Sequence, residues 1–219
     1  MPETWLFLAS PAGEPAWNMA LDDALLQTAA QRSRPLLRVY SWTQPAVTFG
    51  YFQRYPAHLA GRYAVVRRPT GGGVVYHTAD TTYTVVAPVG HALYEMTTAA
   101  AYCALHQAVA AAINTQAELH QAGVQSPSGQ YECFQKPVHG DVVTDGKKIA
   151  GGAQRRTKFG MLHQGSIAAS IPAAQLQRGF AQTRGALFED YQLPAEVQAL
   201  AEKLCHDKYA TAAWNRKLV

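Results

Sequence analysis

The stretch Arg67-Arg68-Pro69-Thr70-Gly71-Gly72-Gly73-Val74-Val75-Tyr76-His77 constrains this chain more than any other. Tyr63 to Val66 before it and Thr81 to Val86 after it are rich in β-branched and aromatic residues, so both flanks read as strands. Three glycines placed between strands do not suit a nucleotide P-loop, which needs Gly-Lys-Ser/Thr running into a helix. They suit a ligand lying against bare backbone, because a chain without Cβ atoms permits close approach. Arg67 or Arg68 would hold the anionic part of such a ligand. A glycine-rich hairpin with solvated arginines is the alternative, since glycine mainly marks turns.

A second stretch, Asp141 to Gln154, carries Asp145-Gly146 between two apolar runs, a hairpin signal. Lys147 and Lys148 follow the turn, and then come Gly151, Gly152 and Ala153. Alternation sends one lysine inward and the other to solvent. It does not decide which, because Lys148 precedes the apolar Ile149. An inward lysine is costly unless it meets an anion.

The remaining elements follow from periodicity. Strands are predicted at Thr4 to Leu8, Leu36 to Trp42, Val47 to Tyr51 and Met161 to Ser170. Helices are predicted from Trp17, over Thr97 to Gln116, from Pro172 to Phe180, from Pro194 to Cys205 and around Trp214. No repeat or low-complexity linker interrupts them. The expectation is one domain over residues 1–219, of α+β class, with a mixed sheet and flanking helices.

At 219 residues, with 48% hydrophobic and 16% charged content, the chain reads as globular. No apolar run approaches a membrane span, and no secretory signal is recognised. Cys103, Cys133 and Cys205 show neither metal spacing nor a disulfide framework, which points to a reduced, cytoplasmic setting and to no metal. The net charge of +4 permits an acidic partner, but no nucleic-acid motif accompanies it.

Several motifs in order resemble those of the lipoate–protein ligase and octanoyl/lipoyl transferase family. Arg67 to His77 is similar to its R-R-x-S/T-G-G-G-x-V-x-H signature. Lys148-Ile149-Ala150-Gly151-Gly152-Ala153-Gln154 resembles its K-I/V-x-G-x-A motif, and His163-Gln164-Gly165-Ser166 its H-x-G-S/T strand. Trp17 to Asp22 matches its opening helix, and Val47 to Tyr51 its strand ending in glycine. The resemblance implies a central mixed, largely antiparallel sheet flanked by helices, as in biotin protein ligases and class II aminoacyl-tRNA synthetases. It also implies Lys148 as the inward lysine, contacting the carbonyl or phosphoryl end of an activated acyl group.

The family divides by chemistry. Ligases adenylate lipoate with ATP and magnesium. Transferases need no cofactor and pass octanoyl or lipoyl from an acyl carrier protein through a cysteine thioester. In both, the acceptor is a lysine on a lipoyl domain, of a 2-oxoacid dehydrogenase or a glycine cleavage H-type protein. Cys133 lies fifteen positions before Lys148, in Cys133-Phe134-Gln135-Lys136-Pro137, and one transferase branch carries its nucleophile in a similar segment. A buried inert thiol is the alternative for Cys133. Gly73 stands where that branch often has arginine, as in ligases, and Thr78 replaces the family's usual Asp after the motif histidine. The separate C-terminal domain of many ligases is not expected here. A non-catalytic lipoyl-, biotinyl- or nucleotide-binding homologue is the third reading. The resemblance assigns Arg67, Arg68, Thr70, Gly71, Gly72, Gly73, His77, Gly151, Gly152, Ala153, His163 and Gly165 to substrate binding. His77 and His163 are candidates for proton transfer or, alternatively, packed and hydrogen-bonded histidines.

Overall fold

The computed structural model describes residues 2–113, 116–121 and 137–218. In chain order the strands are β1 (Glu3–Ala9), β2 (Leu36–Tyr40), β3 (Ala46–Phe49), β4 (Ala64–Arg67), β5 (Val74–His77), β6 (Thr81–Pro88), β7 (Glu118–Leu119), β8 (Val142–Thr144), β9 (Lys147–Thr157), β10 (Gly160–Ile167) and β11 (Ala186–Asp190). The helices are α1 (Pro15–Gln27), α2 (Ala29–Arg32), α3 (Ala92–Glu95), α4 (Thr98–Ile113), α5 (Ala173–Arg184), α6 (Ala195–Leu204) and α7 (Ala212–Asn215). Among the described residues no helix is long and apolar enough to cross a membrane.

Eight strands form one sheet in the order β11-β1-β2-β6-β10-β9-β8-β7. β1 runs parallel to both β2 and β11, and the other pairs are antiparallel. The architecture is therefore the α+β class with a mixed, largely antiparallel sheet. Alternate residues feed opposite faces. Trp5, Phe7, Leu37, Val39, Val85 and Met161 pack with α4 and α5. Their neighbours Leu6, Leu36, Val86 and Leu162 pack with α1 and α6. The alanine-rich α4 lets α5 approach closely, since a Cβ on Gly179 would crowd Ala112 and the Ala108 carbonyl.

Two features depart from the pattern reading. β3, β4 and β5 form a separate three-stranded sheet, ordered β4-β3-β5. Each is only four residues long, and strand periodicity carries no information about which neighbour a short strand pairs with. β11, Ala-Leu-Phe-Glu-Asp, is short and lacks strand alternation, and it takes its strand form from pairing with β1 at the opposite end of the chain.

The turn between β8 and β9 has positive φ at Asp145 (51°) and Gly146 (71°), as a tight hairpin of this twist requires. Just beyond it the register slips. Val143 opposes Lys148 while Val142 opposes Ala150, so Ile149 is an extra residue in β9. A bulge of this kind re-aims the side chains around it.

Candidate active site

The adjacent arginines have opposite fates. Arg67 is fully buried and turns towards the C-terminal residues. Its guanidinium donates to the carbonyls of Gln53 (2.8 Å), Trp214 (3.1 Å), Asn215 (3.1 Å) and Lys217 (2.8 Å), and also to that of Tyr51. Its backbone N–H donates to Asn215 Oδ1 at 2.7 Å. Five carbonyls leave this fork no geometry for an anionic ligand, and Arg67 lines no part of the cavity described below. Arg68 turns the other way. It donates to Thr48 Oγ1 (2.7 Å) and to the carbonyls of Gly71 and Gly73 (2.9 Å each), bracing the glycine loop from within.

That loop packs on backbone. A Cβ on Gly50 would overlap the Gly72 carbonyl oxygen, whereas one on Gly71 would meet nothing within 4 Å. Thr70 is buried and donates to Gln164 Oε1 at 2.8 Å. The Gln164 amide donates in turn to Asp22 Oδ2 (2.7 Å), which also accepts from Tyr40 (3.0 Å) and Thr84 (2.8 Å). Asp22 Oδ1 pairs with the fully buried Arg38 at 2.6 Å. This network fixes α1, β10 and the glycine loop to one another.

A cavity opens between the two sheets. The small sheet and its approach contribute Thr48, Arg68, Val75 and His77. The large sheet contributes Tyr40, Thr82, Lys148, Gly151, Gly152, Ala153, Gln164, Gly165 and Ser166, and Met19 and Trp42 complete the wall. Of the residues singled out from sequence, Arg68, His77, Lys148, Gly151, Gly152, Ala153 and Gly165 meet here. Arg67, Thr70, Gly71, Gly72, Gly73 and His163 are not wall residues. Cys133 lies outside the described residues.

Lys147 is exposed, whereas the Lys148 side chain is only 7% exposed and pairs with Asp141 Oδ2 at 2.8 Å. The Lys148 Cε and Nζ lie 2.5 and 2.7 Å from where a Cβ of Gly151 would stand. In an unbroken strand residues 148 and 151 would face opposite sides, and the extra residue Ile149 removes that opposition. Glycine at 151 is the space the lysine occupies. Asp141, fully buried, also accepts from the Val138 N–H (2.8 Å) and from the Tyr102 hydroxyl (2.6 Å). The Tyr102 oxygen accepts from the Gly152 N–H at 3.0 Å, so that strand amide is already engaged.

His77 stacks on Trp42, with ring centroids 4.1 Å apart. Its Nδ1–H donates to Asp80 Oδ2 at 2.7 Å, and its Nε2 accepts from Thr48 Oγ1 at 2.8 Å. Burial holds its pKa below the usual histidine value despite Asp80, so the ring is neutral at pH 7. With both nitrogens occupied it orients the wall. Asp80 also accepts from Thr82 (2.9 Å) and Ser166 (2.7 Å). Burial opposes its charge, yet the hydrogen bonds from His77, Ser166 and Thr82 hold its pKa below the ordinary carboxylate value. His163 lies behind the Gly151-Gly152 strand. Its Nε2 is 3.2 Å from the Tyr83 hydroxyl, and burial pushes its pKa well below the usual value. A Cβ on Gly152 would strike that nitrogen. His106 completes the cluster, 5.3 Å from His163 by ring centroids, with its pKa pushed down to about 4 by burial.

Sequence reasoning gave no role to Asp80, Tyr102 or Asp141. Asp80 stands three residues after His77, close to where a carboxylate was sought at Thr78. Asp141 opens the lysine motif. Tyr102 leaves no sequence signal. Among the described residues no three His, Cys, Asp or Glu side chains gather as a metal cluster. Cys205 is half-buried, and burial raises its thiol pKa. Cys103, also half-buried, has its sulfur 3.7 Å from His139 Nε2.

The fold is shared with solved lipoate ligases. It superposes on a lipoate-protein ligase A bound with ATP with a TM-score of 0.79, at 21% identity over 100% of both chains. It superposes on an archaeal bi-partite lipoate protein ligase from Thermoplasma acidophilum with a TM-score of 0.74, at 20% identity over 100% of this chain and 98% of that one. The profile described as "Lipoyl protein ligase A/B catalytic domain" matches residues 14–207, and the chain belongs to that family. Within it, the chain is 33% identical over 192 residues to octanoyltransferase LipM of Macrococcus caseolyticus, covering 80% of this chain and 70% of the relative. It is 29% identical to octanoyltransferase LipM of Geobacillus kaustophilus, over 98% of this chain and 99% of that one.

Proposed function

We propose that the protein is an octanoyltransferase, moving an octanoyl or lipoyl group from the thioester of a carrier protein to a lysine of a lipoyl domain. The observation that carries the reading is the Lys148 ammonium, set almost without solvent exposure in the wall of a largely apolar cavity. A fixed cation there serves an acyl carbonyl, because it helps most where negative oxygen develops. The similarity to octanoyltransferases supports the transfer reaction over ATP-dependent ligation.

In the proposed reaction the Cys133 thiolate attacks the thioester carbonyl, and Lys148 steadies the tetrahedral oxyanion. The carrier sulfur leaves as a thiolate and takes a proton. The amine of the acceptor lysine then attacks the Cys133 thioester, loses a proton and forms the amide, and the cysteine thiolate is regenerated. No cofactor enters either half. The acyl chain lies along Gly151, Gly152 and Ala153, against Val75, Met19 and Trp42. The neutral His77 and the Arg68–Thr48 pair hold the opposite wall.

The test is transfer from an octanoyl carrier protein to a lipoyl domain in the absence of ATP. Wild type is expected to octanoylate the domain, and Cys133→Ser to abolish it. Acylation that instead requires ATP and free lipoate, with pyrophosphate released, would show the protein to be a ligase.

A further inference from the structure

We infer that Asp141, held in place by Tyr102, is a positioning residue that holds the Lys148 ammonium along the cavity wall. The inference rests on Lys148 being the cation that meets the acyl carbonyl. The Lys148 side chain is only 7% exposed, and a buried ammonium is costly unless a fixed anionic partner meets it. Asp141 supplies the opposing charge at 2.8 Å and is itself fully buried.

Three fixed donors hold that carboxylate. Its Oδ2 takes the Val138 N–H and the ammonium, and its Oδ1 takes the Tyr102 hydroxyl at 2.6 Å. Tyr102, reaching over from α4, also takes the Gly152 N–H. One tyrosine therefore ties the carboxylate to the strand along which the substrate lies. Among the described residues, the neighbouring titratable groups are otherwise neutral or engaged elsewhere. His106 on α4 and His163 on β10 are buried and neutral at pH 7. The Tyr102 hydroxyl stays protonated, since burial and Asp141 both raise its pKa. Arg68, across the cavity, is a cation and is engaged with the glycine-loop carbonyls.

The experiment is steady-state octanoyl transfer, with kcat and the KM for the carrier resolved, for wild type, Asp141→Asn, Asp141→Glu, Tyr102→Phe and Lys148→Ala, each checked for folding by its melting temperature. Asp141→Asn is expected to lower kcat by about 10- to 100-fold with KM for the carrier little changed. Asp141→Glu should restore part of kcat. Tyr102→Phe should lower kcat by less, and it carries the test if Asp141→Asn does not fold. A folded Asp141→Asn or Tyr102→Phe with the kcat and KM of wild type, with Lys148→Ala inactive, overturns the inference. Full activity in Lys148→Ala overturns the underlying reading of Lys148 instead, and the two failures are distinct.

Discussion

Two glycine-rich segments use the missing Cβ differently. At Gly50 and the loop Gly71 to Gly73, backbone meets backbone, since a Cβ on Gly50 would overlap the Gly72 carbonyl. At Gly151 and Gly152, side chains fill the space: Lys148 lies over the first and His163 over the second. The first pair is architecture and cannot yield, because neither partner can rotate away. The second makes room for side chains that a methyl group would displace. Similar sequence signals thus mark a backbone contact of the fold in one place and the seat of a buried cation in the other.

Substitutions should separate the two roles. Gly50→Ala should have the largest effect, costing more than about 4 kcal/mol and leaving little folded protein, as read from soluble yield and thermal unfolding. A Gly50→Ala protein melting near wild type would break the comparison. Arg67→Ala should follow, at about 3–4 kcal/mol, because it strands buried carbonyls and frees the tail at Trp214 and Asn215. Urea unfolding would measure the loss, and proteolysis should remove the C-terminal residues first.

Acidification tests the cluster behind the second segment. His106 has its pKa pushed down to about 4 in the folded chain, against an ordinary value near 6.5. The unfolded chain therefore binds the proton first. Stability should be full above about pH 6.5 and fall by on the order of 3 kcal/mol as pH drops towards 4. His77 and His163, also depressed, act in the same direction. A urea midpoint unchanged between pH 7 and pH 5 would count against this burial. Gly151→Ala should have the smallest effect on stability, about 1–2 kcal/mol, while slowing octanoyl transfer by about 10- to 100-fold through displacement of Lys148. Equal losses of stability and rate at Gly50 and Gly151 would erase the distinction.

What could be read from the sequence was what is decided locally. The Asp145-Gly146 turn, the alanine-rich α4 and the strands on either side of the triple glycine all follow from turn chemistry and periodicity. So does the α+β class. The direction of the adjacent arginines was not legible, because it depends on whether the C-terminal residues or the glycine loop presents the carbonyls. The choice between Lys147 and Lys148 was reached through family resemblance. Its physical cause is the extra residue Ile149, which alternation cannot anticipate. Asp141, Tyr102 and Asp80 were missed because their roles arise from contacts between elements distant along the chain. Tyr102 and Asp141 are 39 positions apart. The separate three-stranded sheet was hidden for the same reason.

The central claim is that Lys148, set over Gly151, and the cavity between the sheets together receive an activated acyl group. A crystal structure of the protein with a non-hydrolysable octanoyl-thioester analogue tests it most directly. The account predicts the acyl carbonyl oxygen within hydrogen-bonding distance of Lys148 Nζ, with the chain running past Gly152 and Ala153 towards Val75 and Trp42. An analogue bound elsewhere, or seated with its carbonyl turned away from Lys148, would contradict it.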